Sequence, residues 1–184
     1  GEEKEILLTP KYLNDVLPES NEEAFDLIEK ELKYSLNISN DILNESFNAI
    51  KTKRDLSSKV EKLETLTDLL DDKISTSLLE ISKRELSTKE AEKVIKYARM
   101  SNSIEQLADL CKKLNYIYLD YVKKGIYFGP DTLIEFETNY LLLSKNFYIL
   151  SLDFPKTNEE NDDFISNYNV LFKEESGKEA EAQI

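Results

Sequence analysis

In the stretch Asn102-Ser103-Ile104-Glu105-Gln106-Leu107-Ala108-Asp109 two carboxylates stand four residues apart, and Glu64 and Asp68 repeat that spacing earlier in the chain. On a helix, residues i and i+4 share a side, with Cβ atoms about 5–6 Å apart, near enough to hold one cation between them. Sets made only of carboxylates suit hard ions such as Mg²⁺, Ca²⁺, Mn²⁺ or oxidised iron rather than zinc. If the two helices lie side by side, Glu64, Asp68, Glu105 and Asp109 converge on one groove, and Asp71 and Asp72 can join them. Such a strip of like charge costs stability unless it is protonated or neutralised. A solvated helix edge produces the same spacing, because a chain with 37 acidic residues throws up pairs such as Glu19/Glu23 and Glu22/Asp26 by chance.

Composition limits the other chemistry. The chain has no histidine, which removes His-based triads, HExxH zinc sites and the Glu-x-x-His pairs of di-iron bundles. With four glycines it cannot write a P-loop or a dinucleotide fingerprint, and it shows no Arg cluster or glycine nest for direct phosphate binding. An enzyme is not expected. The net charge of −13 repels nucleic acid and anionic lipid, so neither is an expected partner. Cys111 is the single cysteine and cannot form an intrachain disulfide. No apolar run approaches the roughly 20 residues needed to cross a bilayer.

The elements that would position the carboxylates are long helices. Between Glu19 and Lys124 there is neither glycine nor proline, so helices there run uninterrupted. Ser20 with Glu23 forms a capping-box pattern, and Phe25, Ile28, Leu32, Leu36, Ile38, Ile42, Leu43, Phe47 and Ile50 recur at helical steps. Lys51 to Asp55 marks a break. A second helix follows from Asp55 or Ser57, with Val60, Leu63, Leu70, Ile74, Leu78 and Ile81 on one face, and Lys83 and Arg84 close it with cations in the last turn. Ser87 and Glu90 start a third helix, whose apolar face runs from Val94 through Tyr97, Met100, Ile104, Leu107, Cys111, Leu114 and Ile117 to Tyr121. Gly125 to Gly129 ends it, and Pro130 opens a fourth helix with Leu133, Phe136, Tyr140, Leu143, Phe147 and Leu150 at helical spacing. The organisation expected is an extended arm over 1–18, a helical bundle over 19–172 including a short fifth helix from Phe164 to Phe172, and a mobile charged tail over 173–184.

Asn102 to Asp109 resembles the signature helix of PhoU-type domains, which reads Asn-Asp-Leu-Glu-Arg-Ile-Gly-Asp. Asn102, Glu105 and Asp109 match, Ile104 and Leu107 are like for like, and Ser103, Gln106 and Ala108 depart. Val60, Glu64, Asp68 and Leu70 reproduce the Val-x-x-x-Glu-x-x-x-Asp-x-Leu pattern of the preceding helix in that family. Pro10-Lys11-Tyr12-Leu13-Asn14, followed by a proline and a helix opening, is similar to the junction in proteins related to Na⁺/phosphate cotransporters. There, a membrane region precedes a cytoplasmic PhoU-like domain.

The resemblance implies an all-α, PhoU-like antiparallel bundle made of a three-helix repeat plus a partial second repeat. It implies regulation of phosphate uptake, with metal, often iron, at Glu64, Asp68, Glu105 and Asp109. The expected partners are the transporter's own membrane domain, on the cytoplasmic side of the inner membrane, and a second copy in a homodimer that covers apolar faces of the third and fourth helices. A chain opening on Gly1 fits an excised domain of a longer protein. Only half of the family's usual motif set is visible, and the charge-compensating Arg is replaced by Gln106, so a partial metal site is expected rather than a complete cluster. The alternative is a metal-free helical scaffold or adaptor.

Overall fold

The computed structural model describes residues 5–55, 57–126 and 129–154. Among the described residues all regular secondary structure is helical: α1 (Asn21–Thr52), α2 (Ser57–Ser82), α3 (Thr88–Lys123) and α4 (Pro130–Ser151). At 1.5 Å per residue, the 36 residues of α3 span about 54 Å. The fifth helix expected over 164–172 and the tail over 173–184 lie outside the described residues.

Each boundary has a local cause. The Ser20 side chain accepts the Glu23 N–H at the start of α1. Lys53, in the left-handed region at φ 55°, ends that helix. The Asp55 carboxylate takes the Ser57 N–H at 3.1 Å and so opens α2. The α3 capping box is complete, with Ser87 and Glu90 each accepting the other's backbone N–H. That helix closes in a Schellman arrangement: Ile126 N–H donates to Tyr121 O, Gly125 N–H donates to Val122 O, and Gly125 adopts φ +66°. Pro130 occupies the first turn of α4, where its missing N–H costs nothing.

One expected closure differs. Lys83 and Arg84 stand past the end of α2 rather than in its last turn. The Arg84 guanidinium instead donates to Glu19 O and Asn21 Oδ1, pinning the end of α2 to the start of α1.

Short connections make α1, α2 and α3 neighbours, and each packs on the other two. Tyr97 bonds Glu29 and Tyr118 bonds the Ala49 carbonyl, so α1 and α3 run parallel, while α2 runs against both. Most of the core comes from the apolar stripes expected from the sequence, with Leu66 added on α2. Ile28, Leu32, Ile42, Leu43, Val60, Leu66, Leu70, Ile81 and Cys111 are fully buried. Ser35, Ser39 and Ser46 interleave with that stripe on α1, and their small side chains let neighbouring helices approach.

The fourth helix lies antiparallel on α1, with a smaller contact on α3. Tyr140 stacks on Phe47 with ring centroids 4.2 Å apart and donates to Asn44 Oδ1. Its outer face stays open: Ile134, Leu142 and Ile149 are exposed, as are Ile95, Leu110 and Ile117 on α3. Ile117, expected in the α3 core, therefore faces solvent.

The arm from residue 5 to 18 has no helix and lies along the bundle with Leu13 and Leu17 buried. A buried acid holds it. The Glu31 carboxylate, fully buried on α1, accepts the backbone N–H groups of Lys11, Tyr12 and Leu13 at 3.2, 3.2 and 3.4 Å. No described helix is long and apolar enough to cross a membrane.

Candidate functional site

The four expected carboxylates divide. Asp68 from α2 and Glu105 and Asp109 from α3 line one cleft of about 240 Å³ together with Asp71, which the sequence offered as an addition. Antiparallel packing of α2 on α3 brings them there, because residues one turn apart on each helix meet across the same seam. Ser35 and Ser39 of α1 and Ile104 and Ala108 of α3 also line the cleft.

Glu64 does not reach it. Its side chain is buried against α3, where the Tyr116 hydroxyl donates to Oε2 at 3.1 Å and Oε1 finds no partner among the described residues. Burial pushes the Glu64 carboxyl above its usual range, and the Tyr116 hydrogen bond only partly opposes that. The nearby carboxylate in turn raises the Tyr116 phenol.

Three of the cleft acids are tied to cations or a hydroxyl. Lys112 Nζ bonds Asp68 Oδ1 at 3.0 Å, with the lysine side chain only 17% exposed and the aspartate 72% exposed. Lys113 pairs with Asp109 at 2.9 Å. Ser101 donates to Asp71 at 3.1 Å, yet burial still raises the Asp71 carboxyl. Glu105 is exposed and has no hydrogen bond or ion pair among the described residues.

These residues do not fit a metal centre as they stand. Among the described residues no three His, Cys, Asp or Glu side chains come together closely enough to hold one ion. Lys112 supplies a positive charge from within, where a metal cluster would need further acid. Cys111, one residue earlier, is no substitute ligand, since burial pushes its thiol up to about 12.

Lys112, Ser101 and Tyr116 are the site residues that sequence reasoning passed over. Their signal was present but weak. Each lies on the face of α3 turned toward α2, within a turn or two of the motif, although nothing in residue type alone distinguishes Lys112 from the solvated lysines around it.

A second and larger cavity, about 1110 Å³, opens between the arm, α1 and the start of α2. Lys11, Lys59 and Lys62 line it with Asp41, Glu45 and Asp55. Asp41 meets solvent there, but the surrounding protein raises its carboxyl to about 6, against the opposing pull of Lys59.

An all-helical bundle whose second and third helices carry Glu-x-x-x-Asp pairs on facing edges defines the class. The family model of the PhoU domain matches residues 32–116, which takes in most of α1, all of α2 and the part of α3 that lines the cleft. That stretch is similar to the PhoU domain. Comparison with curated proteins gave no match, and comparison with solved structures gave none either.

Proposed function

We propose that this chain is a regulatory domain acting on a sodium-dependent phosphate transporter at the cytoplasmic side of the membrane, and that it controls phosphate uptake without catalysing a reaction. The observation that carries this reading is the PhoU-domain match over residues 32–116, which coincides with the three packed helices and their acidic cleft. The arm supports the transporter connection. It resembles a membrane-to-domain junction, and Glu31 and the buried Leu13 and Leu17 fasten it to α1. A pull on the arm would therefore be felt directly in the bundle. Phosphate uptake by cells carrying Asp68→Asn/Glu105→Gln in the parent protein, against wild type at high and low external phosphate, is the test. Altered repression of uptake is expected, and unchanged uptake at both levels overturns the reading.

The exposed apolar residues of α3 and α4 favour a homodimer in which a second copy covers them. Size-exclusion chromatography with light scattering is expected to give twice the 21.3 kDa chain mass. A monomer across the micromolar range argues instead for the adaptor reading, with that face kept for another protein.

A further inference from the structure

The cleft between α2 and α3 has features that a point cation would not use. Its acids are spread along α3: Asp71, bonded by Ser101, stands toward the N-terminal side and Asp68, bonded by Lys112, toward the C-terminal side, with Glu105 and Asp109 following in the same order. Glu105 and Asp109 are separated by one helical turn, about 6 Å along the axis. The apolar side chains of Ile104 and Ala108 also line the cleft. Ser39 lines it as well, fully buried, and its hydroxyl has no hydrogen-bond partner among the described residues. An unmet buried hydroxyl in the cleft where Glu105 also has no partner among the described residues is a place for a donor.

We propose that this cleft binds a linear aliphatic diamine, with one ammonium between Asp71 and Glu105, the other at Asp68 and Asp109, and the methylene chain over Ile104 and Ala108. The inference goes beyond the phosphate role and does not depend on it. A metal ion placed at either end meets at most two carboxylates, whereas an extended dication engages both ends at once. Ammonium groups are also donors only, which suits a wall of carboxylate, hydroxyl and side-chain amide oxygens from Ser39, Thr67, Ser101, Asn102 and Gln106. Lys112 then acts as the resident competitor. Its ammonium already sits on Asp68, and a ligand must share or displace it.

The test is calorimetry on the purified protein with 1,4-diaminobutane, at an ionic strength high enough to screen loose surface charge. One equivalent is expected to bind. Butylamine, which has one ammonium, is expected to bind about tenfold or more weakly, the effect of losing one charge-assisted contact. Asp71→Asn/Glu105→Gln is expected to weaken the diamine by a similar factor, while Lys112→Gln strengthens it several-fold by removing the competitor. Equal binding of the mono- and diamine, tighter binding of Mg²⁺ or Mn²⁺, or unchanged affinity in the double variant overturns the proposal. Should the double variant not fold, Glu105→Gln alone decides the matter, because that side chain is exposed. This measurement uses isolated protein and the uptake assay uses cells, so each can fail without the other.

Discussion

Glu31 is the residue whose loss should be felt most. Three consecutive N–H groups of the arm end on its carboxylate, inside a helix stripe that otherwise buries Ile28, Leu32 and Ser35. Burial raises the Glu31 carboxyl, and those three donors pull the other way. Glu31→Ala removes the acceptor and strands three donors, so a loss of roughly 2–4 kcal/mol is expected in urea unfolding. Hydrogen exchange at Lys11, Tyr12 and Leu13 should speed up in the same variant even under conditions where the helices stay folded. Normal protection of those amides would show that the arm is held by Leu13 and Leu17 alone. Part of this was legible: Glu31 falls in step with the apolar positions of α1, and an acid in a core stripe signals a buried partner. The partner was not legible, because backbone N–H groups are donated by any residue and leave no mark in a sequence. The cleft followed the same rule. Asp68, Glu105 and Asp109 line one cleft, but which way Glu64 turns depends on Tyr116, across the helix pair.

At the scale of the element, helix ends were the most readable part of the chain. Ser87 with Glu90 and Pro130 after Gly129 name their own boundaries, and the structure opens α3 and α4 there. What the sequence hid was the backbone sign at the two C-terminal ends. Gly125 and Lys53 both hold positive φ, and only one of them is a glycine. A matched pair of variants follows. Gly125→Ala meets no atom within 4 Å, so its cost is purely the left-handed backbone, about 1 kcal/mol. Lys53→Gly relieves the same strain and is expected to stabilise the protein by about 0.5–1 kcal/mol. Opposite shifts in thermal midpoint are the expected result; a loss in both would mean that the Lys53 side chain contributes more than its backbone costs. The periodicity of α3 and α4 was less informative. It marked Leu133 and Ile117 as core although both are exposed, since a stripe of apolar residues does not say whether a partner is present to cover it.

For the whole molecule, the balance of charge sets the expected response to pH. The chain carries net −13, and self-repulsion of that size weakens a compact state. Burial raises the carboxyls of Glu31, Glu64 and Asp71, and Asp41 is raised to about 6 from 3.8. An acid raised on folding binds its proton more tightly in the native state, so its contribution is fully present below the unfolded value and is lost as pH rises through the folded one. For Asp41 that window runs from about 4 to about 6. Asp55 and Glu90 act in the opposite sense: their caps lower them, and their support fades only as pH falls below the ordinary carboxylate range. The thermal midpoint should therefore be higher near pH 5.5 than at pH 7.5, before falling in stronger acid. Asp41→Asn removes the titrating group from the arm cavity and should flatten the part of the profile around pH 6 while raising the midpoint at pH 7.5. Added salt at pH 7.5 should recover some of the difference in the wild type by screening the net charge, but it should leave the Asp41 portion in place, because desolvation is not screened. A midpoint that rises steadily from pH 5.5 to 7.5 would show that the acids raised by burial do not govern the profile.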